Sequence, residues 1–136
     1  MLKKVLRWLC ALYIGGVGVL HFVRPEAFVA IMPKVLPAHL LLVYVSGFFE
    51  VAGSIGLLIP RTRRLASYGL MMLLVAVFPA NINVAVNHIQ IPGLPAQPDW
   101  AAWGRLLLQP LFIYWAWWAG RDDAPPRSGT LMPAMK

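Results

Sequence analysis

The chain has 136 residues, of which 60% are hydrophobic and only 12% charged, whereas a soluble domain carries about 25% charged residues. The net charge of +7 would suggest nucleic-acid binding in a soluble protein, but here the basic residues lie between long apolar segments, where they act as topology signals. We therefore expect a membrane protein without a nucleic-acid partner. The single cysteine, Cys10, excludes an internal disulfide and a Cys-x-x-Cys redox motif.

Four apolar segments predict an all-α membrane protein, a four-transmembrane-helix bundle within residues 1–120. The predicted spans cover about residues 3–23, 38–60, 65–88 and 100–119. A short interfacial helix is expected between the first two spans, because Pro25 suits a first helical turn and the segment before Pro33 is too short to cross a bilayer. Residues 121–136 are polar and rich in proline, which predicts a disordered cytoplasmic tail.

The first span begins with basic residues, a pattern that is also typical of a secretory signal peptide. No small-residue cleavage site follows it in the stretch from Phe22 to Glu26, so we interpret it as a helix of the mature protein. Ala11, Gly15 and Gly18 form a stripe of small residues along this helix. Such a stripe predicts close packing against another helix.

Glu50 is the only acidic residue of the second span. It lies about 15 Å from either end of that helix, near the middle of the hydrocarbon core. An ionisable group at this depth is costly unless it is neutral, paired or facing a polar cavity, and it therefore predicts a functional site. Its neighbours at helical spacing are small residues, which leave room for another helix or a ligand.

The third and fourth spans each contain a proline and polar residues. Pro79 predicts a kink that frees the carbonyl of Val75. Asn81 and Asn83 differ by about 200° around the helix axis, so only one of them can face a central site. On the fourth span, the spacing places Arg105, Gln109 and Phe112 on one face.

The distribution of basic residues predicts the orientation of the bundle. Nine of the twelve lie on one side: Lys3, Lys4, Arg7, Arg61, Arg63, Arg64, Arg121, Arg127 and Lys136. The other three, Arg24, Lys34 and Arg105, lie towards the opposite side. Because loops rich in lysine and arginine remain in the cytoplasm, both termini are expected there.

In this orientation every span contributes a polar residue to the outer half of the membrane. The candidate ligand-binding residues are His21, Glu50, Asn81, Arg105 and Gln109, and together they suggest a funnel that opens outward and closes beneath Glu50. Purely structural roles for these residues also remain open. Glu50 can pair with Arg105 or Gln109 and so lock the bundle, and Asn81 can cap carbonyls that the kink frees. No metal site is predicted, because the histidines lack ligand spacing.

Four stretches of the chain resemble the DoxX family of bacterial membrane proteins: GVGVLHFVRPEAF, MPKVLPAHLLLVYVSGFFEVAGSIGLLIPRTRRLASYGL, AVFPANINVAV and GRLLLQPLFIYWAWW. The resemblance spans about residues 15–118 and implies a four-helix bundle of the bacterial inner membrane. It also implies that the five candidate residues occupy the family's recurrent polar positions, whereas Asn83 stands where the family varies. Family members are linked to quinol-oxidising or other redox complexes and to receptor assembly.

The leading hypothesis is an accessory subunit of a membrane redox complex that binds a quinone or a similar amphiphile around Glu50, without a covalent cofactor. Its expected partners are the lipid bilayer and redox-complex subunits; the sequence identifies neither a reaction nor an oligomeric state. One alternative is a structural or assembly factor in which the polar cluster only locks the bundle. Another is a small proton-coupled transporter, which the strong charge bias and Arg105 disfavour.

Overall fold

The computed structural model describes residues 1–122, and within them every regular element is a helix. The helices are α1 (Leu2–Val23), α2 (Pro25–Ile31), α3 (His39–Leu58), α4 (Arg63–Ala76), α5 (Phe78–Asn87) and α6 (Asp99–Ala119). The predicted all-α class and the short helix after the first span are confirmed. The predicted tail lies outside the described residues, apart from Arg121 and Asp122.

Among the described residues, three helical segments are long and apolar enough to cross a membrane: Leu2–Val23, His39–Leu58 and the combined α4–α5 segment Arg63–Asn87. Helix α6, which corresponds to the fourth predicted span, is not one of these three. Its 21 residues would extend about 31 Å. Five tryptophans, Asp99, Arg105 and Gln109 make it less apolar than the other three.

Helices α1 and α3 form the most extensive packing interface of the fold, and two glycines lie at its centre. A Cβ on Gly18 would lie 2.8 Å from Cβ of Glu50, and a Cβ on Gly47 would lie 2.6 Å from Cβ of His21. Real Cβ atoms do not approach so closely, so the two backbones touch only because both positions lack side chains. The predicted small-residue stripe therefore forms the α1–α3 contact, with Gly15 packed against Ser54.

The apolar core lies towards the end of the bundle where the basic residues gather. Cys10, Leu57 and Leu70 are fully or almost fully buried there, together with Ala116 and Ala119. Cys10 therefore serves as a small core residue, as its position in the first apolar segment predicts.

Buried Arg7 lies beside this core and ties α1 to the end of α6. Its Nε donates to the Ala119 carbonyl at 2.8 Å and an Nη to the Arg121 carbonyl at 3.0 Å. Arg63 similarly donates from Nε to the Leu57 carbonyl of α3 at 3.1 Å. Two basic residues that the sequence presents as topology signals thus also satisfy carbonyls at helix C-termini, where positive charge is favourable.

The third predicted span is broken into α4 and α5 at Val77, two residues before Pro79. Proline has no N–H to continue the hydrogen-bond ladder, so the break agrees with the predicted kink. Beyond the break α5 packs on α6 and contacts α2. Asn83 of α5 donates from Nδ2 to the Ile31 carbonyl of α2 at 2.9 Å, which holds this short helix across the end of the bundle.

Candidate functional site

A cavity of about 490 Å³ lies within the half of the bundle away from the basic end. All five residues that the sequence singles out line it: His21 of α1, Glu50 of α3, Asn81 of α5, and Arg105 and Gln109 of α6. Most of the other lining residues are apolar, among them Ile14, Val43, Leu74, Leu108 and Phe112. The size and the mixed lining are those of a site for a small organic ligand.

Glu50 faces His21 across the glycine contact between α1 and α3. Its Oε2 lies 3.2 Å from Nδ1 of His21, and both side chains are 7% exposed. Nδ1 also lies 2.8 Å from the Val17 carbonyl, which can only accept, so this nitrogen carries a proton directed at Val17. Oε2 consequently has no hydrogen-bond partner among the described residues, and its contact with His21 is a close approach in poor geometry. Glu50 is a buried acid whose hydrogen-bonding capacity is unused.

Helix α2 forms the roof of the cavity over His21. The Phe28 ring stacks on the imidazole with a centroid separation of 3.7 Å, and Ile31 and Met32 also line the cavity. These three residues therefore point into the bundle, and the bond from Asn83 to the Ile31 carbonyl holds the end of α2 in this position.

Asn81 and Gln109 bond to each other rather than to Glu50. Nδ2 of Asn81 donates to Oε1 of Gln109 at 2.7 Å, and Nε2 of Gln109 donates to the Leu74 carbonyl at 2.7 Å. Gln109, and not Asn81, thus donates to a carbonyl of α4 that lies three residues before the break at Val77. This pair therefore ties α6 to both sides of the break. Asn83 lies on another face of α5, as its 200° separation from Asn81 predicts.

Arg105 lines the cavity but makes no hydrogen bond or ion pair with any other residue in 1–122. It is half-buried. The sequence-based pairing of Glu50 with Arg105 or Gln109 does not occur in this part of the chain. Instead the cavity contains one buried carboxyl group and one guanidinium group that are both available to a third molecule.

The wall that α1 and α6 contribute to the cavity includes side chains that are partly exposed on the outside of the bundle. Tyr13 stacks on Phe112 with ring centroids 5.0 Å apart, which closes the cavity towards the basic end. Tyr13 is nevertheless 50% exposed and Leu108 46% exposed, and both line the cavity. An elongated apolar molecule could therefore lie partly in the cavity and partly along the surface.

Two residues support the site or the bundle without being predicted to do so. Asn83 is not among the candidate site residues, but it positions the roof of the site. The sequence presents Arg7 as a topology signal, but Arg7 lies three and four residues before the buried Cys10 and Ala11, so its position on the helical face indicates burial. In the described part of the chain no group of three or more His, Cys, Asp and Glu residues is arranged to hold a metal ion.

No curated protein and no solved structure matches this chain. A family model does match, over residues 9–120, which include every residue of the site described above. The chain therefore belongs to the family described as a domain of unknown function, DUF8561.

Proposed function

We propose that this protein binds a small amphiphile, of the quinone class, in the cavity beside Glu50. The observation that carries the proposal is that Glu50, whose side chain is only 7% exposed and makes no hydrogen bond to residues 1–122, faces a cavity of about 490 Å³. An unsatisfied buried polar group costs about 1–3 kcal/mol, so a ligand that satisfies it gains that energy on binding.

Glu50 and Arg105, two polar side chains without hydrogen bonds in residues 1–122, match the polar groups of such a ligand. Arg105 can donate to a carbonyl oxygen, while Glu50 can accept from a hydroxyl group or take up a proton. The apolar walls accommodate a ring, and the partly exposed lining residues Tyr13 and Leu108 suit an apolar tail. No thiol or metal centre of the protein itself is needed for binding, so electron transfer would be the task of a partner subunit.

We further propose a four-span arrangement in a bacterial inner membrane, with α6 as the fourth span and the basic end in the cytoplasm. Helix α6 is long enough to cross a bilayer, and its tryptophans near both ends suit the two interfaces. In this orientation the cavity lies in the periplasmic half. The resemblance of the quoted stretches to the DoxX family supports the proposal, as does the expected accessory role in a redox complex.

A second candidate function is supported by Asn81 and Gln109. These two amides satisfy each other and the Leu74 carbonyl, as expected for a cluster that only holds helices together. On this view the protein is a structural or assembly factor. The two candidates differ in what Glu50 and Arg105 do, since neither has a satisfactory partner in residues 1–122.

Thermal unfolding of the purified protein in mild detergent, with and without short-tailed quinones and quinols, tests the proposal. We expect a concentration-dependent rise in unfolding temperature that is lost in Glu50→Ala. Ser46→Ala is the matched control, because Ser46 lies one helical turn away on the same cavity wall and makes no hydrogen bond with other described residues. No stabilisation of the wild type by any quinone or quinol would refute the proposal and favour the structural factor.

A further inference from the structure

A second and smaller concavity lies at the basic end, between the start of α4 and the end of α6. It has a volume of about 230 Å³, and its walls are Arg64, Ser67, Tyr68, Trp117, Gly120 and Arg121. We refer to it as the Arg64–Arg121 pocket. It is separate from the cavity around Glu50, with which it shares no lining residue.

The base of this pocket, where α4 packs against α6, is tightly packed. The Gly120 backbone lies so close to Ser67 that a Cβ at position 120 would collide with it. The Ser67 hydroxyl donates to the Ala116 carbonyl at 2.8 Å, so it is already satisfied and holds α4 against α6. The pocket therefore has a rigid base formed by two packed helices.

Two guanidinium groups border this base. Arg121 stacks over the Trp117 ring with Cζ 4.1 Å from the centroid, and its side chain makes no hydrogen bond with any other residue in 1–122. Arg64 has one long contact of 3.4 Å with Asp122, which leaves most of its donors unused. A planar guanidinium group can offer two parallel donors to one phosphate group.

The surface that continues from the pocket is apolar. Met72 lies one helical turn beyond Tyr68 on α4 and is 74% exposed, and Tyr114 lies one turn before Trp117 on α6 and is 58% exposed. Free phosphate would gain nothing from these side chains. The tails of a lipid whose phosphate lies between Arg64 and Arg121 would run along them.

We propose that the Arg64–Arg121 pocket binds the phosphate group of an anionic phospholipid, with its acyl chains along the groove between α4 and α6. Basic pockets between membrane helices bind such headgroups, and each cation near an anionic surface favours the association. The charge of this end fits the partner, since Lys3, Lys4, Arg7, Arg61 and Arg63 lie there as well. This inference does not depend on what occupies the cavity around Glu50.

The experiment measures which lipid remains bound to the full chain after exposure to mixed micelles of phosphatidylglycerol and phosphatidylcholine in equal amounts, read by native mass spectrometry. We expect the wild type to retain phosphatidylglycerol preferentially. In the double variant Arg64→Gln/Arg121→Gln this preference should fall about tenfold. The matched control is Lys4→Gln/Arg61→Gln, which removes the same charge from exposed positions at the same end but outside the pocket.

Equal loss of preference in both double variants would show diffuse attraction to the basic end and overturn the pocket. Competition by inorganic phosphate as effective as that by phosphatidylglycerol would overturn the lipid as the ligand. The single variant Arg64→Gln covers the case in which the double variant does not fold, because the Arg64 side chain is 71% exposed. It should lose part of the preference, and an unchanged preference in this folded variant would also overturn the proposal.

Discussion

Gly18 of α1 and Gly47 of α3 lie against each other, with each backbone carbonyl 3.0 Å or less from the place where the other residue would carry a Cβ. One turn further along each helix are His21 and Glu50, whose side chains this contact brings to 3.2 Å. The glycine pair therefore sets the distance between His21 and Glu50, two polar side chains that line the cavity.

Substituting Gly47 by alanine should separate α1 from α3. The new Cβ would lie 2.6 Å from His21 Cβ and 2.9 Å from the Gly18 carbonyl, both of which belong to packed helices that cannot move independently. Overpacking of this kind costs about 1–3 kcal/mol. Reversible unfolding in mixed micelles measures it. Gly16→Ala is the control, because nothing lies within 4 Å of its Cβ position, and it should not destabilise the protein. Equal stability of the two variants would contradict the close contact.

Arg105→Gln separates a ligand-binding role from a structural one. Arg105 has no partner in residues 1–122, so its loss should change the free energy of unfolding by no more than about 0.5 kcal/mol. If Arg105 contacts the bound amphiphile, the dissociation constant should rise about tenfold, which corresponds to about 1.4 kcal/mol. Titration of tryptophan fluorescence with the quinone or quinol measures affinity. The control variant is Lys34→Gln, because Lys34 is exposed. If Arg105→Gln loses much stability and Lys34→Gln does not, Arg105 has a structural role instead.

The Asn81–Gln109 hydrogen bond should be measurable as a coupling energy. Each single variant, Asn81→Leu or Gln109→Leu, removes the 2.7 Å bond between the amides, and Gln109→Leu also leaves the Leu74 carbonyl without its donor. We therefore expect Gln109→Leu to be the more destabilising. Interhelical hydrogen bonds in membranes average about 0.6 kcal/mol and reach about 1.7 kcal/mol. A double-mutant cycle gives the coupling, and additive effects would show that the amides act independently.

Arg7→Met should destabilise the basic end of the bundle. The change keeps an apolar stem of similar length but removes the donors that satisfy the Ala119 and Arg121 carbonyls. Hydrogen bonds of charged donors contribute about 1.5–3 kcal/mol, so we expect a loss of at least about 2 kcal/mol in the free energy of unfolding. Lys4→Met, at an exposed position one turn earlier, is the comparison. If Arg7→Met and Lys4→Met lose the same free energy of unfolding, Arg7 acts only through its charge and not through its hydrogen bonds.

The helices and the composition of the site could be predicted from local sequence. Apolar length, Pro25 and Pro79 determine where the helices begin and break, because a helix forms its hydrogen bonds within its own segment. Glu50 could be singled out by depth alone, since an acid amid apolar residues is costly wherever its neighbours lie. Phase around the helix likewise separates Asn81 from Asn83.

The pairing of these groups required the tertiary structure. Which faces meet depends on how α1 crosses α3 and on how α5 turns after Val77, and neither is encoded in the spacing of one helix. The glycine crossing gives Glu50 the neighbour His21, while the packing of α6 on α4 brings Gln109 to the Leu74 carbonyl. Arg105 is consequently left without a partner in residues 1–122. Sequence alone determined that polar groups would be buried, and packing decided which of them satisfy each other and which face a cavity.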